Sequence, residues 1–176
     1  MAEPKPFLAV KLICGIIASE NRIFKRTEKY LEKLYGALDH ESSMFEFDFT
    51  DYYEKQIGKN LKRKFLSFKN LFKPEKLSEI KIRTNQLEEE VREEFKSSHR
   101  VVNIDPGYLN PSALIMATAK DFAHRIPLQN GIYAHLELLF GKNDVRTLSW
   151  TYPDYKTKGY HKFFMEVRKI YLSQLK

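Results

Sequence analysis

Residues 7–18, FLAVKLICGIIA, form the longest apolar run of the chain, broken by a single charge at Lys11. A bilayer crossing needs about 20 apolar residues, so the run is too short to span. It also lacks the basic segment that opens a signal peptide. A short run of aliphatic and β-branched residues has to be covered, and it reads as a buried strand. The chain is therefore expected to build a core around it. Its 176 residues, 43% hydrophobic and 14% aromatic, suffice for one globular domain over 1–176 with little disorder. Cys14 is the only cysteine, which excludes an intrachain disulfide and a cysteine-based zinc cluster. A lone thiol fits a reducing compartment. With no membrane-spanning segment expected, the location expected is the cytoplasm.

The remaining periodicities mix strands and helices. Ser19 is placed to cap a helix over 20–35, with Ile23, Thr27, Tyr30 or Leu31, and Leu34 in one stripe and Gly36 as its stop. In MFEFDFTDYY (44–53) Phe45, Phe47 and Phe49 alternate with polar residues, which predicts a strand over 43–50 followed by a short turn or helical piece to Gly58. LKRKFLSFKNLF (61–72) is ambiguous, and the spacing of Phe65, Phe68 and Phe72 favours a helix. Pro74 suits the first turn of the next helix. That helix is expected to break near Thr84, because Asn85 and Glu88 make a capping box for 86–97. Strands are expected at 100–105 and 145–150, and either state at 112–120. Asp105-Pro106-Gly107 reads as a turn and Gln129-Asn130-Gly131 as a hairpin. Residues 160–175 form an amphipathic helix. The fold class expected is α+β, a mixed or mainly antiparallel sheet with helices packed on one face.

The net charge of +7 is concentrated in 59–81 and in 156–176, against an acidic stretch at 86–95. A basic, aromatic run such as 59–73 suits weak, non-specific nucleic-acid binding through Lys62, Arg63, Lys64 and Lys69 beside Phe65 and Phe68. It equally suits a solvated face.

Polar residues gather beside turn signals in five segments: FDFTDYY (47–53), GKNLKRKF (58–65), NIDPGY (103–108), KDFAHR (120–125) and WTYPDY (150–155). With KPFLAVKLICGIIAS, ATAKDFAHRIPL and GIYAHLEL, and in this order, they resemble an uncharacterised prokaryotic family known as domain of unknown function 4416. The resemblance runs over nearly the whole chain and implies no reaction. Members of that family are sometimes labelled GTP-binding, yet this sequence holds no G-x-x-x-x-G-K-[ST] phosphate loop. Nucleophile-elbow, H-E-x-x-H and G-x-G-x-x-G motifs are absent as well.

The residues themselves nominate a site. Asp48, Asp51, Asp105 and His124 are the candidate acid–base groups, since converging carboxylates and an imidazole that titrates near neutrality can move protons. With Asp121 and Asp154 the same carboxylates are a candidate oxygen-ligand set for a divalent cation. Lys120 and Arg125 are candidate anion contacts. Tyr52, Tyr108, Trp150, Tyr152 and Tyr155 are candidate stacking or rim residues, with Asp154 beside them. Each has an ordinary alternative: Asx-turns for Asp105 and Asp154, a cap for Asp51, a structural hydrogen bond for His124, loop anchoring for the aromatics. Three functions follow, from different classes. One is a small cytoplasmic enzyme or ligand-binding protein with a polar pocket for an anionic small molecule. Another is an RNA-associated module built on 59–73. A non-catalytic interaction protein is the third.

Overall fold

The computed structural model describes residues 3–176. Its strands form one nine-stranded sheet, and every pairing among the described residues is antiparallel. The strands are β1 (Val10–Ala18), β2 (Leu38–Glu41), β3 (Phe45–Glu46), β4 (Lys62–Phe72), β5 (Val102–Leu109), β6 (Ala113–Thr118), β7 (Ile126–Pro127), β8 (Tyr133–Phe140) and β9 (Val145–Thr147). The helices are α1 (Asn21–Tyr35), α2 (Glu54–Ile57), α3 (Leu77–Glu94) and α4 (Lys158–Gln174). The strand order is β2-β4-β1-β5-β6-β8-β7, with β3 also on β4 and β9 also on β8. The α+β class and the antiparallel sheet are as the sequence implies.

Residues 10–18 of the apolar run become β1, flanked by β4 and β5 and buried at every position, whereas Phe7 and Leu8 lie outside the strand and are exposed. Its two faces go to different helices. Leu12, Cys14, Ile16 and Ala18 pack with Ile23, Phe24 and Leu31 of α1 and Ile80, Leu87 and Val91 of α3. Ile13, on the opposite face, joins Phe163, Phe164, Val167 and Tyr171 of α4. The expectation of helices on one face is corrected here: a strand apolar at both parities needs cover on both sides. Lys11 is fully buried within β1, where Nζ is held by Asp39, by the Phe68 carbonyl (2.8 Å) and by Gln174 Oε1 (2.6 Å).

Several local readings are overturned by pairing. Residues 62–72 are strand β4, not helix. Phe65 and Phe68, three apart, point to opposite faces and fill the α4-side and α1/α3-side clusters respectively. Residues 43–50 hold only the two-residue β3. The edge of β4 is shared with the unforeseen β2, and the chain bends between them at Ser42, whose hydroxyl accepts the Phe65 N–H at 2.9 Å. The 77–94 helix does not break at Thr84, because Glu88 serves a strand edge rather than a cap. Glu20 rather than Ser19 occupies the N-cap position of α1, with no side-chain cap bond. Residues 113–118 resolve as strand, and the Asn-Gly hairpin forms between β7 and β8 with positive φ at Asn130 (58°) and Gly131 (72°).

Asp105-Pro106-Gly107 is not a turn; it lies inside β5 and marks where the sheet parts. β5 pairs with β1 along its whole length, but with β6 only at Gly107↔Met116, Tyr108↔Ile115 and Leu109↔Leu114. Toward its start β5 has no strand on that side. Side chains satisfy its backbone instead. Ile104 N–H donates to Glu88 Oε1 (2.7 Å), Lys81 Nζ donates to the Ile104 carbonyl (2.8 Å), and Arg100 Nε donates to the Val102 carbonyl (3.0 Å). Buried backbone groups need such partners. Pro106, two residues on and facing the same way, has no N–H to satisfy, which is why proline is tolerated there. Gly107 is where β6 comes in: a Cβ would meet Met116 Sδ at 2.4 Å and the Ile115 carbonyl at 2.6 Å.

Candidate functional site

Where β5 and β6 part, a cavity of about 520 Å³ opens. That is the size range of small-molecule sites. β5 contributes Asn103 and Asp105, and β4 contributes Arg63 from across β1, in register with Ile17. β6 and the segment after it contribute Met116 to Lys120, α3 contributes Lys81 and Asn85, and β8 contributes His135 and Glu137. Phe47, Tyr52, Tyr53, Tyr152 and Tyr155 supply aromatic wall.

Arg63 sits at the centre, with 3% of its surface exposed. Nη1 donates to Asp154 Oδ2 at 2.7 Å and Nη2 to Asp105 Oδ2 at 2.9 Å, while the guanidinium lies 4.8 Å from the Phe47 ring centroid. Burial works against its charge, and Asp154, Tyr155 and Asp105 outweigh burial and hold it protonated. Burial raises the Asp154 carboxyl above the usual range, with Arg63 pulling the other way.

Glu137 reaches the cavity through a defect in strand pairing. Leu114 pairs with Leu138 and Ile115 with Leu136, so Glu137 faces no residue of β6. Such bulges re-aim side chains. The WTYPDY segment is fastened to this bulge: Trp150 Nε1 donates to the Leu136 carbonyl (2.9 Å), Thr151 Oγ1 to the Glu137 carbonyl (2.6 Å), and Tyr152 N–H to Glu137 Oε1 (2.7 Å). Glu137 is fully buried, and burial pushes its carboxyl up to about 8. Burial pushes the neighbouring His135 down to about 4, with Arg125 and His124 adding to the effect. Both are thus uncharged at neutral pH. Glu137 Oε2 and His135 Nε2 stand 3.0 Å apart, yet off the direction a hydrogen bond needs.

The other end of the cavity is basic. Lys120 Nζ lies 3.9 Å from the Tyr52 ring centroid, Arg100 lies 5.9 Å from that of Tyr53, and the two tyrosine rings meet edge-on at 5.0 Å. Arg100 also donates to Gln56 Oε1 at 3.1 Å and to Glu88 and Asn103. A hydrogen bond to Gln56 and the charge of Lys120 lower the Tyr52 phenol below its ordinary range.

Among the expected site residues the structure gathers Asp105, Lys120, Tyr52, Tyr152, Asp154 and Tyr155 around this cavity. It does not gather the other seven. Asp48 and Asp51 are exposed, and the Asp51 carbonyl only begins the turn into α2. His124 stacks on Trp150 (centroids 4.9 Å apart, planes 10°) outside the lining. Residues 120–125 form neither helix nor strand, so Lys120 and His124 share no face of either. Arg125 stands behind the wall, donating to the Tyr152 hydroxyl and the Lys120 carbonyl at 2.7 Å each. Tyr108 has even parity on β5 and turns to the opposite face, beside a smaller cavity with Phe7, Leu8 and Tyr171. Asp121 is exposed. No three His, Cys, Asp or Glu side chains among the described residues converge in a way that could hold a metal ion. The basic run 59–73 forms no continuous surface: Arg63, Phe65 and Phe68 are buried, and Lys64 is paired with Glu28 and Glu41.

Lys81, Asn85, Arg100, Asn103, His135 and Glu137 were not foreseen, and Arg63 was expected only as a nucleic-acid contact. Arg63 carried a signal, being a basic residue of odd parity in a strand whose odd neighbour Phe65 is apolar. Glu137 likewise lies in an apolar strand, YAHLELLF. A charge inside an apolar strand is costly unless something answers it.

The fold and site define an α+β protein whose antiparallel sheet parts around a charged, aromatic-lined cavity. The chain belongs to the family described as Domain of unknown function (DUF4416), which matches residues 8–171. No curated protein and no solved structure matches it. No helix among the described residues is long and apolar enough to cross a membrane.

Proposed function

We propose that the chain is a cytoplasmic small-molecule protein, a receptor or an enzyme, that takes a polar molecule bearing an anionic group into the cavity between β5 and β6. One observation carries this reading. Four buried polar atoms without a hydrogen-bond partner belong to residues lining this one cavity: Arg63 Nε, Asn103 Nδ2, His135 Nε2 and Glu137 Oε2. Buried polar groups are normally paired, and a cluster of unpaired ones among the residues around one cavity points to a ligand there. The aromatic wall accommodates an apolar or planar body, and Lys81, Arg100 and Lys120 favour a negative group.

The test is a thermal-shift screen of small carboxylates and phosphate esters on wild type and on Asn103→Leu. A ligand at a hundred times its Kd adds about 2.7 kcal/mol, which for a chain of this size raises the Tm by roughly 5–10 °C. The variant should lose that response while folding normally. Hits whose response is unchanged by Asn103→Leu and by Lys120→Ala would place binding elsewhere and refute the proposal.

A further inference from the structure

The charges of the cavity fall into two groups, with Asp105 within reach of both. Lys81, Arg100 and Lys120 stand with the amides of Asn85 and Asn103 beside Tyr52 and Tyr53. Asp105, Asp154 and Glu137 stand around a single cation, Arg63. Of the open atoms, Arg63 Nε is a donor inside the acidic end, and the other three divide between the two ends. Asn103 Nδ2, at the basic end, is a donor without an acceptor, and Arg100 already donates to the Oδ1 of that side chain. Glu137 Oε2 and His135 Nε2, at the acidic end, face each other 3.0 Å apart with no hydrogen bond between them.

An oxyanion satisfies the first end. At the second it would meet two carboxylates already competing for one guanidinium. A positively charged N–H donor suits that end: Glu137 Oε2 receives it once its carboxyl is ionised, and His135 Nε2 does so in the tautomer protonated at Nδ1. We infer that the ligand is a zwitterion, with a carboxylate or phosphate held by Lys81, Arg100, Lys120 and Asn103 and an ammonium held by Glu137, His135 and Asp105. This rests on the reading of the cavity as a ligand site and adds the second charge.

The inference has a protonic consequence. Glu137 is faced by Arg63 from β4, by Asp154 and Tyr152 from the segment after β9, by Arg125 from the segment after β6, and by His135 on its own strand. In the free protein its carboxyl keeps its proton at neutral pH. An ammonium beside Oε2 favours the carboxylate, so binding sends that proton to solvent and leaves a paired carboxylate behind.

The probes are 4-(aminomethyl)benzoate, benzoate and benzylamine, titrated calorimetrically into the full chain at pH 7 in two buffers of different ionisation enthalpy. The zwitterion should bind at least about tenfold more tightly than either single-charge analogue and release close to one proton. Glu137→Gln keeps the acceptor for Tyr152 N–H. It should abolish both the release and the zwitterion's advantage while leaving benzoate binding in place. Equal binding of benzoate and the zwitterion would overturn the inference and leave the anionic reading standing. Equal binding of benzylamine would overturn both. A zwitterion advantage untouched by Glu137→Gln, or no binding by any of the three, would also overturn the inference. The carboxylate and phosphate screen on Asn103→Leu then decides the broader reading separately. Replacing the probe's carboxylate by a phosphonate tells which oxyanion the basic end prefers.

Discussion

Arg63→Met is the substitution that most directly tests how the site is held together. It keeps most of the stem volume and removes one cation from between Asp105 and Asp154, whose Oδ2 atoms lie 2.9 and 2.7 Å from it. The Asp154 side chain is only 6% exposed and that of Asp105 22%, so solvent cannot replace the guanidinium at the first and does so only partly at the second. Breaking a buried pair by removing one member typically costs about 3–5 kcal/mol, chiefly as the penalty of a stranded charge. A chain of this size loses roughly 2–4 °C of Tm per kcal/mol, so the variant should melt about 6–20 °C below wild type at pH 7. Urea unfolding of wild type and variant, followed by far-UV circular dichroism and fluorescence, measures the difference. Two controls identify the cause. Adding Asp154→Asn to Arg63→Met should restore a large part of the loss, because a neutral amide needs no counter-charge. Lowering the pH should shrink the gap, since burial already raises Asp154 and removing Arg63 takes away the group that opposes that rise. A loss below about 1 kcal/mol, or a loss that neither Asp154→Asn nor acid relieves, would refute the assignment of Arg63 as the charge that organises the cavity.

Other outcomes follow from the same geometry. Folding raises Glu137 from 4.5 to about 8 and lowers His135 from 6.5 to about 4, so their effects on stability oppose each other between those ordinary values. Above about 6.5 only Glu137 contributes, the folded state holding the proton the unfolded chain has lost, and stability should fall by roughly 2 kcal/mol from pH 6.5 to 8. Glu137→Gln should flatten that limb, and a slope it leaves unchanged would exclude Glu137 as the source. Gly107→Ala puts a Cβ against Met116 Sδ and the Ile115 carbonyl and should cost about 1–3 kcal/mol by overpacking; an unchanged urea midpoint would show that β6 yields freely at the fork. His124→Ala removes a ring stacked on Trp150 and should leave the thermal response to 4-(aminomethyl)benzoate intact, its loss implying that His124 reaches the ligand after all. Lys11→Met strands Asp39 and the Phe68 carbonyl and should lower stability by several kcal/mol, on the order of 3–5, with no effect on ligand affinity.

The candidate site was legible in parts, and the misses share a cause. Asp105, Lys120, Tyr52, Tyr152, Asp154 and Tyr155 stand beside backbone irregularities that sequence displays as turn residues, and these reached the cavity. Asp48, Asp51 and His124 stand beside similar signals and did not. Sequence gives the side of a strand a residue points to but not which strands lie next to one another. Arg63 becomes a site residue only because β4 and β5 flank the same strand. Glu137 becomes one only because β8 bulges against β6. Asp105-Pro106-Gly107 shows the same limit from the other side. Its composition is that of a turn, and pairing with β1 along the whole of β5 overrode it, leaving proline and glycine to part the sheet instead.

By itself the sequence pointed to a buried strand near residue 12 at the centre of an α+β core, because a short, nearly uninterrupted apolar run has to be covered. It determined the helices around α1 and α4, whose stripes are long enough for period 3.6 to be unmistakable. It also determined the Asn130-Gly131 hairpin, where two positive φ angles demand those residues. Only the tertiary structure decided that residues 62–72 are a strand, since Phe65 and Phe68 suit a helix stripe and two opposite sheet faces equally until their partners are in place. Only it decided that helices cover both faces, and that the sheet divides at Gly107. Periodicity is a property of one segment, whereas a cavity is a property of several segments held apart, and its charges acquire their chemistry from the burial that the whole fold imposes.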